Sequence, residues 1–314
     1  MQYIFPDYYK QFKCIAGECQ HSCCIGWEID IDPDTSAYYN TVSGAFGQRL
    51  KENISRDGVP HFILGEKERC PFLNRENLCD IILTLGEEHI CGICTDHPRF
   101  RNELPGRIET GLGLCCEEAA RLILTQTSPV KLLVSGEDEG EEDEILALRD
   151  ELLLVLQDRA CTIPERTEEM LSLCNTSLPE RTTGEWAETL LSLERLEEQW
   201  TAVLQFLQEN WVTTDFDGFD RYMAERQTEY EQLLCYFIYR HFANGTDLAD
   251  AAARACFAVL AYQIIHAVGA AVWTIKGDFP VESQIELVRL FSSEIEYSEE
   301  NRDFLLDELY DPFA

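Results

Sequence analysis

Cysteines crowd the first third of the chain at spacings that suit metal ligation. Four lie within eleven positions, at Cys14, Cys19, Cys23 and Cys24, and six more follow before residue 117. Thiolates separated by a few residues can converge on one ion or cluster, because the intervening loop wraps around it. We therefore predict a metal or iron–sulfur site whose ligands are Cys14, Cys19, Cys23, Cys24, Cys70, Cys79, Cys94 and Cys116.

The spacing leaves the identity of the metal open. The N-terminal run does not follow a regular zinc knuckle, in which one Cys-x2-Cys unit pairs with a second, although Cys91-x2-Cys94 would supply half of one. The ten cysteines before residue 117 also exceed the four ligands of one tetrahedral zinc ion. The count favours two metal centres or one iron–sulfur cluster with supporting thiols, and zinc is the alternative.

Several other cysteines and two histidines near them are expected to support the site or the core rather than ligate the metal. Cys91 and Cys115 are expected beside the site rather than among its ligands. His21 and His97 lie inside the cysteine stretches, where a histidine more often hydrogen-bonds than ligates. Four cysteines at apolar helix positions are expected to be core thiols, namely Cys161, Cys174, Cys235 and Cys256.

The charge of the chain restricts its partners. It has 58 acidic against 25 basic side chains, a formal net charge of −33 at pH 7. Such a surface repels phosphate backbones, so we expect no nucleic-acid partner. It would attract lysine-rich protein surfaces, although acidity also simply keeps a protein soluble. The N-terminus has no secretory signal, so we expect a cytoplasmic protein with reduced thiols, and a disulfide framework is the alternative.

Hydrophobic periodicity predicts a mainly α fold, in which a Cys-rich, partly irregular metal-binding module packs on an all-α helical domain. We place the module at residues 1–126 and the helical domain at residues 127–314, because an acidic, glycine-containing stretch at residues 125–144 separates the two patterns. The predicted helices of the domain lie near residues 144–159, 165–174, 184–210, 217–243, 247–276, 281–296 and 299–309.

Three local patterns add detail. Residues 27–31 alternate between acidic and apolar side chains, which predicts a short strand or extended segment. A helix capped by Asp34 or Thr35 is predicted to run from there to about Lys51. Residues 255–275 have no formal charge and are long enough to span a bilayer. Their strongly acidic neighbours favour a helix buried in the domain, so we expect no membrane association.

The cysteine motif resembles the opening of the flagellin lysine-N-methylase family. The likeness rests on Phe12-Lys13-Cys14-x4-Cys19-x3-Cys23-Cys24-x-Gly26-Trp27-x-Ile29-x-Ile31. Two later motifs, Cys70-Pro71-Phe72-Leu73 and Cys94-x2-His97-Pro98-Arg99, also resemble wider zinc- or iron-chelating families, and Cys116-Glu117-Glu118-Ala119-Ala120 matches the methylase end of the module. Tyr239-Arg240-His241-Phe242 and residues 293–301 resemble its helical part, although Ser293 and Tyr297 depart from the family pattern.

The resemblance implies ε-N-methylation of lysines on a protein substrate, flagellin in the family. It further implies S-adenosylmethionine as the methyl donor and an iron–sulfur cluster, [4Fe–4S], at the cysteines. A lysine must lose a proton before it attacks a methyl sulfonium, so a base is needed, and the candidates are Asp30 and Glu28. Their alternative role is a solvated strand face. The candidate cofactor-binding residues are Trp27, His97 and Arg99, with core packing as the alternative for Trp27.

Two other functions fit the same residues. One is a non-enzymatic, zinc-stabilised module whose helical domain binds a partner protein. The other is an iron–sulfur redox or cluster-carrier protein. The sequence contains no recognisable fold for binding the methyl donor, which keeps the first of these alternatives open. The colour of the anaerobically purified protein distinguishes zinc from iron–sulfur, and binding of the donor then distinguishes a methylase from a carrier.

Overall fold

The computed structural model describes residues 1–137 and 143–310 and is mainly helical, which confirms the predicted fold class. Its strands are β1 (Gln2–Pro6), β2 (Ile54–Ser55), β3 (His61–Phe62), β4 (Arg99–Leu104), β5 (Arg107–Leu112) and β6 (Leu132–Ser135). The first five helices are α1 (Pro33–Thr41), α2 (Gly44–Glu52), α3 (Asp80–Leu85), α4 (Gly92–Asp96) and α5 (Glu117–Leu124). The later helices are α6 (Glu144–Leu156), α7 (Ile163–Leu173), α8 (Thr183–Ser192), α9 (Glu198–Asn210), α10 (Phe216–Tyr222), α11 (Gln227–His241), α12 (Leu248–Lys276), α13 (Val281–Phe291) and α14 (Glu299–Leu309).

The chain forms two compact units. The helical unit consists of Met1–Phe12, Arg101–Cys115 and the described part of Ala119–Ala314, and the cysteine unit consists of Lys13–Phe100 and Cys116–Glu118. The predicted domain boundary near residue 126 stays a prediction. Most of the acidic run that suggested it, residues 138–142, lies outside the described residues.

Within the cysteine unit, the helix predicted to run to Lys51 is wrong in one respect, because the structure divides it into α1 and α2. Val42 and Ser43 between them are extended. Gly47 of α2 packs so closely against the Val42 carbonyl that a Cβ atom there would overlap the carbonyl oxygen. Helical periodicity in the sequence does not reveal this close approach, because the approach depends on the missing side chain of Gly47.

Asp32 caps α1 and ties it to α4, so the predicted cap at Asp34 or Thr35 is wrong by two or three residues. Its Oδ1 accepts a hydrogen bond from the Thr35 amide at 2.9 Å and its Oδ2 accepts one from the Gly92 amide at 2.9 Å. These amides hold the pKa of the Asp32 carboxyl below its usual value. The side chain therefore satisfies two helix starts at once.

We expect Asp32→Ala to lower the free energy of unfolding by about 1–2 kcal/mol, because loss of a helix cap leaves backbone amides unsatisfied. Urea denaturation followed by circular dichroism measures this change. Asp34→Ala, at the exposed neighbouring position in the first turn of α1, is the control and is expected to cost less. Equal losses in the two variants would contradict the capping role.

Residues 27–31 form the predicted extended segment and pair with β3. The Phe62 amide donates to the Ile29 carbonyl at 3.1 Å, and the Ile31 amide donates to the Pro60 carbonyl at 2.7 Å. Ile29, Ile31 and Phe62 are buried in the core of the cysteine unit. The alternation predicted from the sequence is thus confirmed, and it turns the acidic side chains of this segment away from that core.

The helical unit contains a four-stranded sheet in the order β4-β5-β1-β6. β1 pairs in parallel with β5, with Tyr3 opposite Ile108, and antiparallel with β6, with Ile4 opposite Val134. The sequence pattern does not predict β6, which lies in the part of the chain expected to be all helical. Its partner β1 is more than a hundred residues away, and local periodicity carries no information on such pairing.

The helices follow the predicted segments with three corrections. The predicted helix 184–210 is interrupted between Ser192 and Glu198, and the predicted helix 217–243 is interrupted between Tyr222 and Gln227. The predicted helix 281–296 changes to a π-helix over Ser292–Glu296. The predicted cap of the last helix is confirmed, because the Ser298 hydroxyl accepts from the Asn301 amide at 3.3 Å.

Helix α12 contains residues 255–275, the uncharged stretch that is long enough to span a bilayer. Among the described residues it is the one helix long and apolar enough to cross a bilayer, and 78% of its most apolar window is buried inside the protein. Its buried side chains include Phe257, Leu260 and Ile264. This burial agrees with the predicted helix in the middle of a helical domain.

Several buried glutamates among the described residues of the helical unit pair with arginine. Glu109 lies 2.5 Å from Arg149, and Glu231 lies 2.8 Å from Arg159. Glu231 also lies 2.9 Å from Arg166. Another, Glu296, is fully buried and belongs to a larger hydrogen-bonded network with Tyr236 and His241. Burying such charges costs solvation free energy, so each must be compensated by close partners.

Candidate metal centre

One set of thiols in the cysteine unit gathers around Cys23. The Cys23 thiol interacts electrostatically with those of Cys14 and Cys116, and Cys19 interacts with Cys116. The structure thus brings the N-terminal cysteines next to a cysteine that lies about ninety residues later. We name these residues the first thiol group, and its members are Cys14, Cys19, Cys23 and Cys116.

A second set of thiols gathers around Cys70. This thiol interacts with Cys24 and Cys79, and the Cys94 thiol interacts with Cys91, Cys24 and Cys70. The Cys70 amide also donates to the Cys24 carbonyl at 2.8 Å, which fixes the two backbones side by side. We name these residues the second thiol group, and its members are Cys24, Cys70, Cys79, Cys91 and Cys94.

The two groups meet at adjacent residues of the chain. The thiols of Cys23 and Cys24 are hydrogen-bonded to each other. This hydrogen bond, together with burial, raises the pKa of Cys23, and the same bond lowers the pKa of Cys24 to about 7. Cys24 is therefore the thiol of this pair that ionises first, and a thiolate is the form that ligates a metal.

The carboxylate of Glu117 holds the loop that carries Cys19. Its Oε2 accepts hydrogen bonds from the amides of Gln20 at 2.9 Å and His21 at 3.4 Å, and it lies 3.5 Å from the Cys19 sulfur. Burial raises the pKa of Cys19 to about 12, and the nearby carboxylate adds to that rise. A cation placed among these thiols would reverse this effect, because it stabilises the thiolate.

Cys91 is predicted from the sequence to lie beside the metal site rather than among its ligands, yet its thiol contacts that of the predicted ligand Cys94. Its thiol is hydrogen-bonded to that of Cys94 and lies 3.9 Å from the Tyr39 hydroxyl, and the residue is fully buried. The hydrogen bond from Cys94 is the main reason why the pKa of Cys91 is lowered. The Cys-x2-Cys spacing of these two residues was the signal in the sequence for this contact.

The three candidate cofactor-binding residues have different surroundings. Trp27 is 38% exposed, so it is not a core side chain. Burial, with help from Arg99, lowers the pKa of His97 to about 4, which keeps its imidazole neutral. The Arg99 guanidinium donates to the Thr95 carbonyl at 3.1 Å, in the last turn of α4. Their assignment to a cofactor stays a prediction.

The two candidate bases lie beside a histidine that the sequence analysis did not single out. Glu28, Asp30 and His61 offer oxygen and nitrogen atoms within 4.8 Å of one another. Asp30 and His61 are directly opposed across the antiparallel pairing of residues 27–31 with β3. The Nδ1 atom of His61 lies 2.9 Å from the Val59 carbonyl, so a hydrogen bond between them places a proton on Nδ1.

An open groove of about 780 Å³ runs beside Asp30 within the cysteine unit. Its walls combine carboxylates with apolar side chains, since Asp32 lines it together with Val59 and Ile93. The two apolar residues are 59% and 54% exposed. A groove of this composition can accommodate a side chain that has an aliphatic stem and a positive end.

The donor set of the two thiol groups fits a sulfur-ligated metal. Thiolates are the ligands of iron–sulfur clusters and of structural zinc alike, so the residues suit both. The second thiol group also has apolar surroundings, because Cys70 and Cys91 belong to the same core as Phe62 and Phe72. Burial raises the pKa of Cys70 to about 12, so a metal must displace the proton when it binds.

Comparison with known protein families shows to which family the chain belongs. Residues 112–312, which are more than half of its length, match the family model of the FliB lysine N-methylase C-terminal domain. The chain belongs to the FliB family. This confirms the resemblance that the cysteine motif and the helical segments indicate in the sequence.

Curated relatives of the FliB family share moderate identity with the chain. It is 28% identical over 138 residues to a protein named lysine-N-methylase from Salmonella typhimurium, and equally to one from Salmonella choleraesuis. The alignment covers 40% of this chain and 33% of each relative, so it spans about a third of their length. A flagellar biosynthetic protein FliU of Salmonella muenchen is also 28% identical, and 79% of it is covered. No solved structure matches the chain.

Proposed function

We propose that the protein is a lysine ε-N-methyltransferase that acts on protein substrates, with S-adenosylmethionine as the donor and a cysteine-ligated iron–sulfur cluster. The observation that carries the proposal is the convergence of nine thiols, in two groups joined at Cys23 and Cys24, within one compact unit. Membership of the FliB family, and relatives named lysine-N-methylase, support the choice of reaction.

The ligands would come from the two thiol groups. All eight cysteines predicted from the sequence are members of these groups, and we add Cys91 because it is bonded to Cys94. Three thiolates would hold a [4Fe–4S] cluster with one iron left without a cysteine ligand, and each thiol group has more than three members. When bound, such an iron would supply a site for the amino and carboxylate groups of the donor.

The carboxylates of Glu28 and Asp30, with His61, would receive the substrate lysine. The lysine ammonium first gives a proton to this cluster of groups, and the neutral Nζ then attacks the methyl carbon. The new N–C bond forms as the S–C bond breaks, so the electron pair leaves with sulfur and S-adenosylhomocysteine is released. The groove with Val59 and Ile93 would hold the aliphatic stem of that lysine.

We expect the double variant Glu28→Gln with Asp30→Asn to slow methyl transfer by about 10²-fold or more, the usual contribution of a general base. The metal content is expected to stay unchanged, since neither residue is a thiol ligand. Transfer of labelled methyl groups from the donor to a lysine-bearing protein measures the rate. Glu76→Gln, an exposed carboxylate of the same unit, is the control and should behave like the natural protein. A rate equal to that of the control would remove these residues from the reaction.

The partner and the compartment are part of the same proposal. The net charge of −33 favours a lysine-rich protein partner over nucleic acid. The relative named as a flagellar biosynthetic protein supports flagellin as the substrate. The relatives named lysine-N-methylase and flagellar biosynthetic protein support a cytoplasmic location for the reaction.

Anaerobic purification followed by iron, sulfide and zinc analysis tests the proposal first. Matched iron and sulfide with a broad visible absorption, then methylation of lysine when donor and substrate are added, would support it. Stoichiometric zinc without colour would favour the zinc-stabilised structural module instead, because the same thiols suit zinc. A cluster-bearing protein that binds no donor would indicate a redox or carrier protein.

A further inference from the structure

The helical unit buries an ionic network around one glutamate. Glu296 is fully buried, with its Oε1 2.7 Å from the Tyr236 hydroxyl, 2.7 Å from His241 Nε2 and 3.1 Å from Arg240 Nε. The Ser292 hydroxyl donates to the other carboxylate oxygen. We name these five residues the Glu296 network. Each oxygen of the carboxylate thus has a hydrogen-bond partner, as a buried charge requires.

The backbone that carries the carboxylate is itself unusual. Glu296 ends the π-helix Ser292–Glu296, which interrupts the path from α13 to α14. Single-turn π-helices are rare and frequently lie at functional sites. Here the turn contains both Ser292 and Glu296, whose side chains are in direct contact.

The network is bonded to the segment that precedes Cys116. The Leu114 amide donates to the Tyr236 hydroxyl at 3.2 Å. Tyr297 follows Glu296 directly, and its hydroxyl is hydrogen-bonded to the Cys115 thiol. The Arg240 guanidinium lies over the Tyr297 ring at 4.5 Å. The network, together with the adjacent Tyr297, therefore holds the backbone of Leu114 and the side chain of Cys115.

Gly113 allows the side chains of Tyr297 and Arg240 to pack against this segment. A Cβ atom at this position would overlap the Tyr297 hydroxyl and lie 3.1 Å from the Arg240 guanidinium. The two side chains can thus pack directly on the backbone of the segment, because residue 113 has no side chain. Contacts on three consecutive residues leave the segment little freedom to move.

We infer that the Glu296 network, through Tyr236 and Tyr297, is a positioning device that fixes residues 113–115 and thereby the backbone from which the Cys116 thiol projects. Cys116 is a member of the first thiol group, so the inference rests on the proposed metal site for its purpose. The network residues would touch neither metal nor substrate. They act through the segment that they hold.

Another buried charge of the same unit provides a matched control. Glu231 is also buried and also pairs with two arginines, Arg159 and Arg166. Its bonds go to these side chains of the loop before α7 and of α7 itself, not to residues 113–115. Glu231→Gln should therefore disturb the unit in a similar way without releasing the segment.

The experiment compares Tyr297→Phe, Glu296→Gln and Glu231→Gln in the full chain. In metal-free protein, the alkylation rates of Cys115 and Cys116 by iodoacetamide are followed by mass spectrometry. Loss of a buried hydrogen bond is expected to raise them by roughly fivefold to tenfold in the first two variants. In metal-loaded protein, competition with a chelator is expected to show an affinity lower by about 10–100-fold, as when a supporting partner of a ligand is removed.

The outcomes separate this inference from the proposed function. Faster alkylation in Tyr297→Phe, with Glu231→Gln unchanged, supports the positioning role, and Tyr297→Phe is the milder variant because it removes a single hydroxyl. Alkylation rates equal to those of the natural protein in Tyr297→Phe, or an equal rise in Glu231→Gln, would overturn it. A natural protein that binds no metal would overturn the proposed cofactor, while the alkylation rates still decide the positioning role.

Discussion

Cys24→Ser is expected to remove most of the metal bound by the second thiol group. Cys24 joins the second thiol group and is hydrogen-bonded to Cys23 of the first. A serine cannot supply the thiolate that this position offers, because its hydroxyl does not ionise near neutral pH. Changes in residues that merely support a ligand already cost about 10–100-fold in metal affinity, so loss of a ligand should cost at least as much. Elemental analysis of the purified variant measures the effect.

Cys161→Ser is the matched control for this change. Cys161 is a free thiol of the helical unit, close to the Asp158 carboxylate, and belongs to neither thiol group. Its serine variant is expected to keep the metal content and absorption spectrum of the natural protein. If Cys24→Ser kept its metal as well, the assignment of Cys24 as a ligand would be wrong. Reconstitution of both variants with iron and sulfide distinguishes loss of binding from loss during purification.

Glu296→Gln is expected to lower the free energy of unfolding by about 3–5 kcal/mol at neutral pH, the usual cost of breaking a buried ion pair. The amide would leave the buried Arg240 without its counter-charge, and desolvation makes such a charge expensive. Urea denaturation monitored by tryptophan fluorescence measures the change. Glu209→Gln, at an exposed position of α9, is the control and should stay within about 0.5 kcal/mol of the natural protein.

The same carboxylate predicts how that difference depends on pH. Burial alone would raise the pKa of Glu296, but Arg240 and His241 outweigh burial and lower it from 4.5 to about 2. Because the folded pKa lies below the unfolded one, the contribution of the ionised group is complete above about pH 4.5 and is lost as the pH falls toward 2. The stability difference between the natural protein and Glu296→Gln should therefore shrink over that range. A difference that grew as the pH fell would contradict the assignment.

The sequence is most informative where structure depends on neighbours in the chain. The alternation of residues 27–31 and the cap at Ser298 are local patterns, and both are found in the structure. The apolar composition of α12 likewise predicts its burial. Such features follow from side-chain periodicity and hydrogen bonding within a few residues, so they can be read without knowledge of the fold.

Features that depend on distant residues could not be predicted in the same way. His61 reaches Asp30 because two segments thirty residues apart pair as strands, and no spacing rule indicates that register. The division of the cysteines into two groups is similar. Cys23 and Cys24 are neighbours in the chain, yet their thiols associate with different partners. Spacing predicts that thiols converge, whereas the fold determines which of them share a site.

The buried position of the second thiol group has a consequence for how the protein is made. Its cysteines come from residues 24–94, and two of them, Cys70 and Cys91, lie among the aromatic side chains of the core. A metal held there would act as a cross-link that closes long loops of the chain and reduces the entropy of the unfolded state. Binding of the metal would then stabilise the folded form of this unit. A newly synthesised chain that lacked metal would be the form most exposed to proteases.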